Sequence, residues 1–206
     1  MQHVAGATVT LTLESPFILG LPEFKEDESV WNMPYAWRRP YVAVKHSVAK
    51  SLQPRRILEI GVYSGIAALS FLAAVPDAEY VGIDNLDLEK SLGIEVVSKT
   101  KEKLDALGYK NTIIVGDSQQ LSTLPDGPYD LIHVDGCHSK EAAQHDVTLA
   151  WNALTPSGHM LIDNGHDASV CAGTFLAMRD ALGGRLFSWS YLEESVGNIL
   201  IRKEPL

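Results

Sequence analysis

The segment Ile57-Leu58-Glu59-Ile60-Gly61-Val62-Tyr63-Ser64-Gly65 constrains the fold more than any other part of this chain. It reads as a buried strand, then a glycine turn, then a helix carrying Ala67, Leu69, Phe71 and Leu72. An open α/β sheet builds its ligand crevice in this way, at the carboxyl end of its first strand. A dinucleotide fingerprint needs G-x-G-x-x-G, so that backbone amides close on a pyrophosphate. Counting from Gly61, the second and third glycines would fall at 63 and 66, which hold Tyr63 and Ile66. What remains is Glu-x-Gly-x-x-x-Gly, with an acid near the end of the strand. A carboxylate there repels a pyrophosphate and attracts a cation or an ammonium group.

Strand–helix alternation continues from Arg56. Strands are expected at Ile57–Ile60, Tyr80–Ile83, Thr112–Val115, Leu131–Val134 and Met160–Ile162. A helix is expected over Ile94–Leu107 with Gly108 as its cap. A further helix carries Ala143, Val147, Ala150, Trp151 and Leu154 on one face, and Pro156-Ser157-Gly158 turns into the fifth strand. A last helix groups Cys171, Phe175, Met178 and Leu182. The tail breaks the pattern: Phe187, Trp189 and Tyr191 alternate with polar residues, and a second strand, Asn198–Ile201, follows without a helix between. Two such strands form an antiparallel hairpin at one edge of the sheet. The fold class is therefore α/β, Rossmann-like and doubly wound, mostly parallel with an antiparallel C-terminal hairpin. Residues 1–34 read as an N-terminal arm with a short strand at Thr8–Leu13, and 35–206 as one domain that starts with a helix over Tyr35–Leu52.

Length suits a single α/β domain. The formal net charge of -9, with the acidic excess lying wholly after residue 60, argues against a nucleic-acid partner. No apolar run approaches a membrane span, and no signal peptide is apparent at the N-terminus. Cys137 and Cys171 are too few and too far apart for a disulfide framework or a metal knuckle. A cytoplasmic protein with a small-molecule substrate is expected.

All five expected parallel strands end in acids: Glu59, Asp84, Asp117, Asp135 and Asp163. Each strand precedes a helix, so any one acid could be a cap, but five together at the crevice point to a ligand. Asp84 can accept both ribose hydroxyls. Gly116-Asp117-Ser118-Gln119 can hydrogen-bond an adenine edge or serve as a capped turn. Asp135 with Asp163-Asn164 offers two carboxylates and an amide oxygen from adjacent strand ends, hard ligands suited to Mg²⁺ or a similar ion. His138, three residues after Asp135 at a helix start, is a candidate general base. There, a positive helix end and a nearby cation would lower its pKa. His166 is a second candidate. His145 is read as a solvated mid-helix residue and His133 as part of its strand. Trp31, Tyr35 and Trp37 could cover an aromatic acceptor.

The run Leu58–Gly65 resembles the first motif of class I S-adenosylmethionine-dependent methyltransferases. Val134-Asp135-Gly136-Cys137-His138 and Leu161-Ile162-Asp163-Asn164 resemble the metal-dependent O-methyltransferases of the catechol and caffeoyl-coenzyme A type. Asp135–Ser139 is also similar to small bacterial methyltransferases with an Asp-Gly-x-His-Ser run. The resemblance covers about residues 55–203. It implies a seven-stranded sheet, S-adenosyl-L-methionine as cofactor, a divalent metal held by Asp135, Asp163 and Asn164, and a homodimer. It places Glu59, Gly61, Tyr63 and Gly65 at the methionine end of the cofactor, Asp84 at the ribose and Asp117, Ser118 and Gln119 at the adenine. Asp135 and His138 become the catalytic pair, His138 standing where the catechol-type enzymes have a lysine base. Ala67 departs from a frequent serine, and Gly136 and Cys137 replace bulkier residues. On the residues alone two other readings stay open, a nicotinamide-dependent oxidoreductase and a non-catalytic cofactor-binding subunit. The broken glycine spacing argues against the first.

Overall fold

Period-two alternation along the central strands sends side chains to two separate cores. The computed structural model describes residues 35–182, 187–192 and 197–205, with side chains from residue 40 to 180 and in the two last segments. The expected arm at 1–34, including the Thr8–Leu13 strand and Trp31, lies outside the described residues, as do the side chains of Tyr35 and Trp37.

Helix α1 (Tyr35–Leu52) leads into β1 (Arg56–Ile60), α2 (Ile66–Ala74), β2 (Glu79–Asp84), α3 (Asp87–Leu92), α4 (Val97–Ala106) and β3 (Asn111–Val115). After β4 (Tyr129–Val134) come α5 (Lys140–Ala153), β5 (Leu154–Ile162), α6 (Ala168–Leu182), β6 (Phe187–Leu192) and β7 (Asn198–Lys203). The seven strands lie in the order β3-β2-β1-β4-β5-β7-β6. The first five are parallel, and β7 runs antiparallel to both of its neighbours. This is the Rossmann-like doubly wound sheet expected, with the hairpin at one edge.

Ile57, Tyr80, Leu131 and Leu161 face one side of the sheet and pack with Val44, Val48, Leu69, Phe71 and Leu72 of α1 and α2. Leu58, Ile60, Val81, Ile83, Ile132 and Val134 face the other and pack with Val147, Ala150, Trp151 and Met178 of α5 and α6. Helices on both faces require strands that are apolar on both faces, which explains the near-continuous hydrophobic runs. Strand order reverses between β1 and β4, which places a crevice at their carboxyl ends.

Two boundaries differ from the sequence reading. The helix expected over Ile94–Leu107 is the shorter α4, Val97–Ala106, and an unexpected short helix, α3, precedes it and ends at Gly93 (φ 65). Gly108 (φ 78) follows the end of α4 as expected. The turn expected at Pro156-Ser157-Gly158 is absorbed into β5 as an irregularity. There the pairing with β4 jumps from Tyr129↔Leu154 to Leu131↔His159, and Ser157 takes φ 68. Among the described residues no helix is long and apolar enough to cross a membrane.

Candidate active site at the carboxyl ends of β1 and β4

Gly61 leaves β1 with φ 86, and a Cβ on it would stand 2.0 Å from the Asp135 carbonyl oxygen. The turns after β1 and β4 therefore touch, and only a residue without a side chain permits that approach. Asp84 braces the turn from β2: one carboxylate oxygen accepts from the Val62 and Tyr63 amides, each at 2.9 Å, and the other from the Leu86 amide at 2.7 Å. A carboxylate has about four lone-pair sites, so Asp84 can brace the turn and still face a ribose. Tyr63 sits at φ 43.

Glu59 is fully buried. Its carboxylate accepts a hydrogen bond from the Tyr80 hydroxyl and lies 2.8 Å from His133 Nδ1. Both oxygens are thus anchored inside the sheet. His133 is directly opposite Glu59 in the β1–β4 register, a pairing hidden in the sequence. Burial raises the Glu59 carboxyl, while the bonds from His133 and Tyr80 oppose the rise. Glu59 borders the cavity as a fixed acidic floor.

At the far side, Asp117 caps a single 3-10 turn over Ser118–Gln120, accepting from the Gln119 amide at 3.0 Å. The Gln119 side-chain amide donates to Asp146 Oδ1 at 2.8 Å, which leaves its carbonyl oxygen for a ligand. Asp146 is 1% exposed, its second oxygen has no partner, and burial pushes its carboxyl up to about 6. Gly136 makes room for it, since a Cβ there would lie 2.8 Å from Asp146 Oδ2. His145, expected in solvent, instead lies with Nε2 3.1 Å from the carbonyl oxygens of both Ser118 and Leu121, tying α5 to the turn.

At the other end β4 and β5 deliver Asp135 and Asp163 side by side, one residue past the Val134↔Ile162 pair. Helix α1 meets them with two donors one turn apart. The Tyr41 hydroxyl donates to Asp135 Oδ2 at 2.9 Å, and Lys45 Nζ donates to Asp163 Oδ1 at 2.5 Å and to Asn198 Oδ1 at 2.9 Å. Lys45 is fully buried and stands 3.5 Å from the Tyr41 ring centroid. Each carboxylate is thus held by one oxygen and left with the other. The free ones, Asp135 Oδ1 and Asp163 Oδ2, each lie 3.2 Å from one terminal atom of the Asn164 amide, and that atom is 3.0 Å from His138 Nε2. His138 Nε2 and Asp135 Oδ1 are 3.9 Å apart. Asn164 holds a left-handed φ of 55. Burial pushes the Asp163 carboxyl up despite Lys45. Burial acts the same way on Asp135, but His138, His133, Lys45 and Tyr41 outweigh it and hold that carboxyl below its ordinary value. The pKa of His138 is raised, chiefly by Asp135 and against its partial burial, not lowered as its helix-start position suggested. Among the described residues no three His, Cys, Asp or Glu side chains form a metal cluster by themselves. The convergence here includes an amide.

A cavity of about 680 Å³ joins the two ends, running from Ser118 and Gln119 past Gly61 and Tyr63 to Asp135, Asp163, Asn164 and His138. This volume suits a cofactor plus a small substrate. Gly65 shapes the turn from outside the lining: with φ 69 it lies against Thr100, whose methyl a Cβ would meet at 2.1 Å. His166 stacks near Tyr191, with ring centroids 5.9 Å apart, and does not line the cavity.

Residues 58–165, more than half of the chain, match the methyltransferase-domain family model. The chain belongs to this methyltransferase family. A curated relative is the O-methyltransferase hkm8 of Aspergillus hancockii, 28% identical over 121 residues. That match covers 58% of this chain, which spans about half (46%) of the relative's length. Among solved structures, the O-methyltransferase TomG from Streptomyces achromogenes, involved in tomaymycin synthesis and solved with SAM, is 21% identical. Its TM-score is 0.62, over 92% of this chain and 95% of that one. The O-methyltransferase from Bacillus cereus in complex with SAH is 14% identical, with a TM-score of 0.64 over 92% of this chain and 96% of that one. At these identities the structures show a shared methyltransferase fold.

Of the residues singled out in the sequence, Glu59, Gly61, Tyr63, Asp84, Asp117, Ser118, Gln119, Asp135, His138, Asp163 and Asn164 line one cavity, whereas Gly65 and His166 do not. Four partners were missed: Tyr41, Lys45, His133 and Asp146. Tyr41 and Lys45 carried a signal, since an i, i+4 pair on the expected helix faces one direction.

Proposed function

We propose that this methyltransferase moves the methyl group of S-adenosylmethionine to a hydroxyl of a small molecule. The observation that carries the reading is one cavity with a nucleoside-type end at Ser118–Gln119 and a polar end at Asp135, Asp163 and Asn164. The names of the relatives support it.

The Gln119 carbonyl oxygen would accept from the adenine amine, and Asp84, with one lone-pair site left by the Val62, Tyr63 and Leu86 amides, would accept from one ribose hydroxyl. The turn at Gly61–Tyr63 would seat the methionine end. The buried Glu59 and the part-buried Asp135 border that seat and favour a sulfonium over a neutral ligand. A hydroxyl oxygen held at the Asp135 end would then be aligned with the methyl group, and alignment of two bound partners supplies much of the rate in such a transfer.

The residues present fit a divalent ion. Tyr41 and Lys45 hold the outer oxygens of the two carboxylates, an arrangement typical of the support behind metal ligands. The inner oxygens and the Asn164 amide then face one point. Asp135, Asp163 and Asn164 would hold the ion, which supplies Lewis-acid chemistry that lowers the pKa of an acceptor hydroxyl and orients it. His138 turns Nε2 to the same point, so this geometry leaves the base role expected for it without support.

The test is a calorimetric titration of chelator-treated protein with S-adenosylhomocysteine. Transfer assays over phenols, catechols and sugar hydroxyls would follow, with and without added Mg²⁺ or Mn²⁺. Micromolar binding of the product and transfer to a hydroxyl are expected. Absence of binding at high protein concentration would refute the cofactor assignment. Undiminished transfer in chelator would refute the ion.

A further inference from the structure

We propose that His138 is a nitrogen ligand of the divalent ion. The site is then a three-oxygen, one-nitrogen set that prefers manganese(II), iron(II) or cobalt(II) to magnesium. This rests on the ion reading above and adds to it a ligand and a metal preference.

The distances carry the argument. Ligands at 2.0–2.1 Å around an octahedral ion lie about 3 Å apart when adjacent and about 4 Å apart when opposite. The Asn164 terminal atom is 3.0 Å from His138 Nε2 and 3.2 Å from each of Asp135 Oδ1 and Asp163 Oδ2, adjacent separations. His138 Nε2 and Asp135 Oδ1, at 3.9 Å, stand near the opposite separation. Hydrogen bonds explain the cluster less well. If the Asn164 atom is its nitrogen, two N–H groups must serve three acceptors, and one is left out. A single cation at the common point serves the Asn164 carbonyl oxygen, both carboxylate oxygens and the imidazole together. The remaining oxygens of Asp135 and Asp163 are already held by Tyr41 and Lys45, so the free ones have fixed directions.

Local structure explains why His138 reaches this point. It lies between the end of β4 and Ser139, whose side chain caps α5 by accepting from the Ala142 amide at 3.2 Å. The cap fixes where the helix begins and brings the preceding residue back over Asp135. A general base would instead present a ring nitrogen to the substrate hydroxyl. Here Nε2 faces the carboxylates and the amide. Carboxylate and carbonyl ligands suit magnesium or manganese, whereas imidazole suits the later first-row ions.

The deciding experiment loads the chelator-treated full chain with Mn²⁺ alone and records pulsed paramagnetic resonance. Coordinated-imidazole ¹⁴N modulation is expected in the unaltered protein, retained in His166→Ala and lost in His138→Ala. Titrations with Mn²⁺ alone and Mg²⁺ alone should show the Mn²⁺ affinity falling in His138→Ala by at least the ~10–100-fold typical of losing a residue that merely supports a metal site, and falling more than the Mg²⁺ affinity. Mn²⁺ bound without nitrogen modulation would overturn the His138 assignment and leave the ion site standing. No Mn²⁺ bound by the unaltered protein would overturn the ion reading itself. The spectrum of the unaltered protein decides the matter even if a variant folds poorly.

Discussion

Asp146→Asn should gain stability relative to the parent as pH rises, being less stable than the parent in acid and at least as stable above neutral pH. Asp146 is 1% exposed, with one oxygen bound to Gln119 and the other without a partner. Burial, the largest cause, raises its carboxyl from 3.8 to about 6. A folded-state pKa above the unfolded one gives stability that is fully present below the unfolded value. That stability is lost as pH rises through the folded value. The cost of ionising Asp146 therefore accumulates between about pH 4 and pH 7. At 1.36 kcal/mol per unit, the full shift corresponds to about 3 kcal/mol. The asparagine keeps an oxygen for Gln119 but places an N–H pair beside Gly136, and an unmet buried donor costs about 1–3 kcal/mol. The net gain at pH 8 is then about 0–2 kcal/mol, with a near-zero or negative difference at pH 5. Urea unfolding at the two pH values measures it. What must appear is a difference between variant and parent that grows by about 1–2 kcal/mol from pH 5 to pH 8, since more than half of the cost is already present at pH 5. An equal difference at both would refute the assignment of a buried, costly charge to Asp146.

Lys45→Met removes the ammonium from a buried ion pair and leaves Asp163 uncompensated, so chelator-treated protein should lose about 3–5 kcal/mol in denaturant unfolding. A loss below 1 kcal/mol would show that Lys45 is not buried against Asp163. Gly61→Ala forces a Cβ to within 2.0 Å of the Asp135 carbonyl oxygen at a positive φ, and calorimetry should show lost S-adenosylhomocysteine binding together with a lowered melting temperature. Asp135→Asn should retain the nucleoside end of the site, with S-adenosylhomocysteine binding measurable, while Mn²⁺ affinity falls by at least ~10-fold in parallel titrations. Asp146→Ala, unlike the asparagine variant, should weaken S-adenosylhomocysteine because Gln119 loses the bond that aims its carbonyl oxygen.

Local chemistry made much of this protein legible in its sequence. Apart from the paired Glu59 and His133, runs such as Ile57–Ile60 and Leu131–Val134 are apolar on both faces, which only a strand covered on both sides tolerates. Gly61 and Gly65 end the first strand in a turn, and their spacing does not match a dinucleotide fingerprint. Because parallel strands all point one way, the acids at their ends lie together, and Asp84, Asp135 and Asp163 line one cavity. Gly108 and the tail hairpin followed from equally local rules.

Tertiary structure alone decided which groups face the acids. Glu59 meets His133 through the register of β1 with β4, and its anchoring by Tyr80 follows from packing across β2. Asp146 meets Gln119 because α5 packs beside the turn after β3. Lys45 and Tyr41 reach Asp163 and Asp135 across 118 and 94 residues of chain, and the packing of α1 over the sheet turns an ordinary i, i+4 pair into the support of the site. Sequence patterns record each residue's own preference for strand, helix, turn or core. Contacts between distant segments depend on register and helix placement, set by the whole core at once, and no single window of sequence contains them.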